Sequence, residues 1–341
     1  MRVTLRDVAE RAGVSFKTVS NVINGHPNVR PETRDRVESA IAELRYRPNT
    51  SARSLRHGRA GFLAIALPEL TSPYFAGLAS ELAAAARAVG QSVLIEETSG
   101  DLAGERAVLD GLPSHLVDGV FFSPLVTPVA EVVERRDGTP LVLLGEYGEP
   151  AGVDHVGVDN VAAARDVTRH LLDLGRRRIA GIGLQSGAGT GRLRGEGYLA
   201  ALAEAGVPVD PDLVVECTDY HRASGADAVT QLLARGVEVD AVFCFNDLMA
   251  LGALRALHEH GLRVPQDVAV AGFDGIEDGQ FSVPSLTTVT PDLPLLAAEA
   301  VRLVMRRIAE PDAPAEHVVV PHRITAREST SGGPHRPPSA A

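Results

Sequence analysis

Phe16, Lys17, Ser20 and Asn21 fall on one face of a short helical stretch, opposite an apolar stripe made by Val19, Val22 and Ile23. A ring, an ammonium and an amide on one outward helical face suit a helix lying in a DNA groove. A second set of residues is scattered along the chain but shares a kind of position. Tyr74 and Phe75 follow the strand-like run 61–68, Glu146 follows 141–145, Asn246 follows 241–245, and Asp274 follows 268–273. Arg194 opens a helical pattern after a glycine-rich loop. Rings, carboxylates, an amide and a guanidinium converging beyond strand ends can hold a small polar ligand by paired hydrogen bonds.

The sequence offers no catalytic constellation. There is no GxSxG, no metal-ligand spacing, and no nucleophile with a base nearby. His258 and His260 are two residues apart and lie on different faces of a helix. The glycines at 181 and 183 do not open a GxGxxG, because the sixth position is Ser186. The expectation is a protein that is not an enzyme and carries no metal or cofactor.

The elements that must position these groups divide the chain. In residues 1–48, Thr4 can N-cap a helix and Asp7 can complete a capping box. Gly13 stops that helix in a sharp turn. Ser15 caps the next helix, and Pro31 opens a third whose Val37, Ile41 and Leu44 face inward. Two short helices across a glycine turn with a bracing third make a helix-turn-helix unit. Residues 49–59 follow. On their own they read as a plain linker ahead of the other reading, a short helix that forms only against DNA or a partner copy.

From Gly61 the rhythm changes to strands alternating with helices through residue 328. Such alternation argues for parallel sheets covered on both faces. Strands on each side of Asp159 suggest two doubly wound lobes within residues 60–328, with the chain crossing between them near 158 and 288. The strand-like pieces 286–291 and 317–327 could return to either lobe. Residues 329–341, rich in Gly and Pro, read as a disordered tail, and they show no leucine heptads.

Composition agrees. The 341 residues are 45% apolar and only 4% aromatic, so the cores must be built mainly from Ala, Val and Leu. The net charge of −11 is uneven: residues 1–59 hold 12 basic and 6 acidic side chains, the remainder 21 and 38. A basic head on an acidic body implies that the head meets a polyanion. No apolar run reaches the ~20 residues of a membrane span. The N-terminus lacks an apolar signal core, so a cytoplasmic location is expected. Cys217 and Cys244 sit in apolar contexts and read as buried, reduced thiols.

The stretches 4–9, 12–20, 47–49 and 52–55 closely resemble the LacI–GalR family of bacterial transcription regulators. The stretches 70–75, 156–160, 194–198, 245–252 and 270–274 are similar to signatures in its body. The resemblance implies an N-terminal all-α helix-turn-helix domain plus a two-lobed, periplasmic-binding-protein-like α/β domain. It implies a homodimer that binds near-palindromic operator DNA, no membrane, and a small-molecule effector, a sugar, held between the lobes. By that analogy Phe16, Lys17 and Asn21 read bases. The chemistry agrees: lysine can donate to guanine, asparagine can pair with adenine, and a ring can touch a thymine methyl. Thr4, Ser15, Thr18, Ser20, Asn24, Arg30 and Thr33 are expected at phosphates.

Residues 49–59 become a hinge helix, with Asn49 and Ala52 in it and Leu55 wedging into the minor groove. The effector set is Tyr74, Phe75, Glu146, Asp159, Arg194, Asn246 and Asp274. Asp159 and Asp247 also read as N-caps of the helices they precede. The expected function is a ligand-responsive repressor of sugar uptake or catabolism. A purine or other small polar metabolite is the alternative effector, and a sugar-binding protein without a DNA role is the alternative molecule.

Overall fold

The computed structural model describes residues 3–23, 26, 28–46, 60–112, 117–145, 152–185 and 189–331. The chain divides into two units, Met1–Ala60 and Gly61–Ala341.

The first unit contains α1 (Leu5–Ala12), α2 (Phe16–Ile23) and α3 (Pro31–Glu43). Its small core is Val8, Ala12, Val19, Val22, Val37, Ala40 and Tyr46, with Ile41 and Leu44 packed against it. Gly13 ends α1 in the left-handed conformation, φ 64°, and its N–H donates to Ala9 and Glu10 carbonyls. A side chain would be strained there, which is why the turn needs glycine. An exposed ion pair, Arg11–Glu43 at 2.6 Å, ties α1 to α3.

The second unit holds two six-stranded sheets. The amino-proximal sheet uses β1 (Phe62–Leu67), β2 (Ser92–Glu97), β3 (Gly119–Phe122), β4 (Leu141–Leu144), β5 (Asp154–Val158) and β11 (His317–Val320), in the order β11-β5-β4-β3-β1-β2. Every pairing in it is parallel. The other sheet uses β6 (Ile179–Leu184), β7 (Val214–Glu216), β8 (Ala241–Cys244), β9 (Ala269–Phe273), β10 (Thr287–Pro291) and β12 (His322–Thr325), in the order β12-β10-β9-β8-β6-β7. It is parallel except for β12, which runs against β10. Near-continuous apolar strands such as Phe62–Leu67 and Ala269–Phe273 are what a sheet buried on both faces requires.

Helices Pro73–Ala88 and Leu293–Ala309 pack on one face of the first sheet, closing a core around Leu63, Ile65, Phe121 and Val304. The second lobe centres on Phe243, Met249, Val270 and Phe273. Its helices Arg222–Ala234 and Asp247–Glu259 approach so closely that a Cβ on Gly252 would lie 1.8 Å from the Arg222 carbonyl oxygen. The arginines at 176–178 bind carbonyls and acids of neighbouring loops, as a turn before a strand would.

The expected two lobes are present, but the chain crosses between them three times. The first crossing follows Val158, as expected. The second follows Pro291, at the end of β10 and close to the point expected near 288. The third falls at Pro321, between β11 and β12, so the 317–327 segment is shared by both sheets. Asp292 N–H donates to the Pro321 carbonyl at 3.1 Å, which ties the second and third crossings together. Asp154 explains the return of β11. It is fully buried, pairs with Arg307 at 2.9 Å and accepts the Glu316 N–H at 2.9 Å.

Of the tail expected to be disordered, residues 329–331 are ordered, and 332–341 lie outside the described residues. Glu328–Ser331 form a short helix, Ser329 is fully buried, and its hydroxyl donates to the Val270 carbonyl at 2.6 Å. Both cysteines are free thiols, and burial pushes the Cys217 thiol up to about 11.

Candidate functional site

The N-terminal unit presents the reader. Thr4 caps α1 and forms the expected capping box: its hydroxyl accepts from Asp7 N–H, and Asp7 accepts the Thr4 N–H at 2.7 Å. Ser15 accepts the Thr18 N–H at 3.1 Å and shares a hydrogen with the Thr18 hydroxyl at 2.9 Å. These groups therefore hold helix starts, whatever phosphates they also meet. On α2, Val19 and Val22 face the core while Phe16, 42% exposed, and Lys17 face outward. Ser20, Asn21 and Thr33 are half-buried, and Arg30 is exposed just before α3. Asn24, Asn49, Ala52 and Leu55 lie outside the described residues, as does the whole of 47–59.

Within the second unit a cavity of about 410 Å³ lies between the two lobes. It sits beyond the carboxyl ends of the strands, where open α/β sheets bind ligands. Tyr74, Phe75, Arg194, Asn246 and Asp274 all line it, as expected. Glu146 lies outside the described residues.

Arg194 is the best-held group in the cleft. It is 5% exposed, its Nε donates to Asn160 Oδ1 at 2.8 Å, and Nη1 donates to the Phe245 carbonyl and reaches Asp274 Oδ1 at 3.5 Å. Its guanidinium carbon stands 3.5 Å from the centroid of the Phe273 ring. Asp274 has φ 116°, a region that favours glycine, and its N–H donates to Val289 at 3.0 Å. A non-glycine residue held there costs ~1–3 kcal/mol.

Two acids that read as helix caps part company: Asp159 caps as expected but does not join the cavity lining, and Asp247 does not cap. Asp159 accepts the Ala162 N–H at 2.8 Å and caps the helix Asn160–Asp173; it is not among the residues lining the cavity. A carboxylate one residue before a helix is most strongly drawn to that helix's unpaired N–H groups. Asp247 does not cap its helix. Asn246 does so, accepting the Met249 N–H at 2.8 Å. Asp247 is fully buried and accepts from the Thr288 hydroxyl at 2.6 Å and the Ile276 N–H at 2.9 Å. Burial, then the charge of Asp274, pushes its carboxyl well above the usual range. It fixes the loop that carries Asp274.

The sequence reading missed the loop after β7. Thr218, Asp219, Tyr220 and His221 line the cavity, with Glu69 and Gln185. Hydrogen bonds from Ser224 and the His221 N–H hold the Asp219 carboxyl below its usual value, against the opposing effect of burial. Glu105 was missed as well. Its buried carboxylate accepts N–H groups from Leu125, Val126 and Thr127, and Leu125 and Val126 line the cavity.

The units define a class: a helix-turn-helix reader followed by a two-lobed α/β body with a ligand-sized cleft. Residues 4–49 match the family described as bacterial regulatory proteins, lacI family, and residues 168–330 match a periplasmic binding protein-like domain. The chain is 34% identical to the ribose operon repressor of Halalkalibacterium halodurans over 97% of its own length and 98% of that protein's. It is 34% identical to the transcriptional repressor PurR of Erwinia tasmaniensis over 98% of each. The Lac repressor dimer bound to operator and the anti-inducer ONPF superposes with a TM-score of 0.85 at 29% identity, over 97% of this chain and 99% of that one. The chain belongs to the LacI family of bacterial transcription regulators.

Proposed function

We propose that this chain is a ligand-responsive repressor that binds near-palindromic operator DNA as a homodimer. A small polar effector, a sugar, held in the interlobe cleft shifts its operator affinity. The observation that carries this reading is the pairing, in one chain, of an exposed Phe16–Lys17 helix face with a cleft built around Arg194 and Asp274. Phe16, Lys17 and Asn21 contact bases; Thr4, Ser15, Thr18, Ser20, Asn24, Arg30 and Thr33 contact phosphates. Residues 49–59 serve as the hinge between reader and body.

Exposed apolar side chains support the dimer. Leu94 and Ile95 lie on the edge strand β2, and Phe281 and Val283 are 75% and 95% exposed. A second copy of the chain covers them. A DNA-bound regulator works in the cytoplasm and needs no enzymatic step; among the described residues no helix is long and apolar enough to cross a membrane. A purine is the second reading for the effector, favoured by the PurR relative and by the rings of Tyr74 and Phe75, 5.2 Å apart at the cleft.

Fluorescence anisotropy on DNA selected for affinity from a random pool, at fixed salt, tests this. Saturable, sequence-dependent binding is expected, and its absence overturns the proposal. Leu55→Ala is expected to weaken operator binding at least ten-fold with the fold intact, since a side chain wedged between base steps supports the kink. Unchanged affinity removes the wedge.

A further inference from the structure

We propose that the cleft takes an uncharged two-ring glycoside, its outer ring held at the cleft mouth between Glu69 of one lobe and Asp219 of the other. This rests on the sugar reading above and narrows it.

Charge comes first. The charged side chains lining the cavity are Glu69, Asp219, Asp274 and Arg194, with His221 beside them. The positive charge of Arg194 is engaged by the protein itself. Asn160, the Phe245 carbonyl, Asp274 and the face of Phe273 all hold it. The stretches 146–151 and 186–188, which adjoin cavity residues in sequence, contain no lysine or arginine. Among the described lining residues a phosphate or carboxylate ligand would therefore meet two further carboxylates and no further arginine or lysine to pair with it, and like charges at this range disfavour binding.

Carboxylates suit hydroxyls instead. Asp219 is locked on one side: Oδ1 accepts from the His221 N–H at 3.0 Å and from the Ser224 hydroxyl, which leaves Oδ2 to accept from a ligand. Glu69 Oε2 lies 3.9 Å from His221 Nε2 across the cleft. The two lobes thus meet at this rim, with acceptors and an imidazole that can donate. Tyr220 also lines the cavity, its ring fixed by its hydroxyl bond to the Gly183 carbonyl at 3.0 Å.

Length comes second. Asp274 follows β9 and Asp219 follows the end of β7, and the sheet order β9-β8-β6-β7 sets them three strand spacings apart. At ~4.8 Å per spacing this is about 14 Å. One pyranose ring does not span two anchor points so separated, but two linked rings do. The 410 Å³ cavity falls within the ~300–1,000 Å³ typical of small-molecule sites.

The test is native mass spectrometry of the full-length protein against one pool. The pool contains glucose, galactose and ribose; cellobiose, maltose, lactose, melibiose, sucrose, trehalose, gentiobiose, xylobiose and mannobiose; glucose 6-phosphate, trehalose 6-phosphate and glucuronate; choline; and adenine, guanine and hypoxanthine. A neutral disaccharide should be retained, and calorimetry with that compound should show at least a ten-fold loss of affinity in Glu69→Gln and in Asp219→Asn. Glu69→Lys should gain binding of a phosphorylated disaccharide. Melting followed by circular dichroism checks that each variant is folded. Retention of only a monosaccharide, or of a sugar phosphate or glucuronate, overturns this proposal and leaves the sugar reading standing. So does a neutral disaccharide whose affinity is unchanged in both Glu69→Gln and Asp219→Asn. Retention of choline or a purine, or of nothing, overturns both.

Discussion

Glu105→Gln is the most informative single change outside the cleft's own contacts. Glu105 hangs from the helix Leu102–Leu109, fully buried. Its Oε1 accepts the Leu125 N–H at 2.5 Å, its Oε2 the Thr127 N–H at 2.7 Å, and both reach Val126 N–H at 3.2–3.3 Å. The substitution keeps size and shape but turns one oxygen into an NH₂ donor aimed at N–H donors. A hydrogen bond to a charged group contributes ~1.5–3 kcal/mol net, and an orphaned buried donor costs ~1–3 kcal/mol. Thr127 is itself buried, so its N–H has no easy recourse to water. The expected loss is about 2–4 kcal/mol, a large part of the ~5–15 kcal/mol that holds a folded protein together. Urea unfolding followed by circular dichroism measures the loss. Amide hydrogen exchange at 125–127 shows whether it is local, because those three amides should lose protection before the strands do. A change below about 0.5 kcal/mol, the scatter of ordinary surface substitutions, together with unaltered exchange, would refute the idea that this carboxylate holds the loop.

Arg194→Lys keeps the charge but not the fork. It should cost about 2–3 kcal/mol in urea unfolding by orphaning Asn160 Oδ1, and should couple to Asn160→Ala in a double-mutant cycle. His170 is held below its usual value by burial, against the opposing charge of Asp173, and its Nε2 meets the Thr330 hydroxyl at 3.0 Å. The fold therefore favours neutral His170, which contributes stability above the unfolded value of ~6.5 and loses it as pH falls through the lower folded value. The melting temperature should fall between pH 7 and 5, and fall less in His170→Gln. Thr4→Ala removes the α1 cap and should cost ~1 kcal/mol in the melting of the N-terminal unit, with Val8 and Val19 still buried.

Much of this was legible in the residues themselves. The reader could be written down from Thr4, Asp7, Gly13, Ser15 and Pro31 because caps and turns are local: their partners lie within a few residues. The lobes were legible because βα alternation is also local. Where partners are distant, the sequence was silent. Nothing near Glu105 in sequence announces that it will grip a loop some twenty residues on. Nothing in 317–327 says that β11 will return to the first sheet, where Asp154 holds Arg307 and the Glu316 N–H, or that the chain will change sheets at Pro321, whose carbonyl accepts the Asp292 N–H. Asp159 and Asn246 both precede helices and both cap them, yet Asn246 also faces the cavity while Asp159 does not. Sheet order separates them, and sheet order is not a sequence property. The loop at 218–221 could have been found: the rule that looks beyond strand ends applies to 213–217 as well as to the strands where it was used.

The triple crossing has a consequence for how the molecule is made. The reader's core is complete once residue 46 has been synthesised, so it can fold while the rest of the chain is still on the ribosome. Neither lobe can. The first sheet lacks its β11 edge until residues 317–320 emerge, and the second lacks β12 until 322–325. A chain cut short between about residue 160 and residue 316 would carry a finished reader on two unfinished lobes, with open sheet edges and Asp154 without its Glu316 N–H. Quality control of this protein therefore rests on its last few dozen residues, far in sequence from the DNA contacts they ultimately govern.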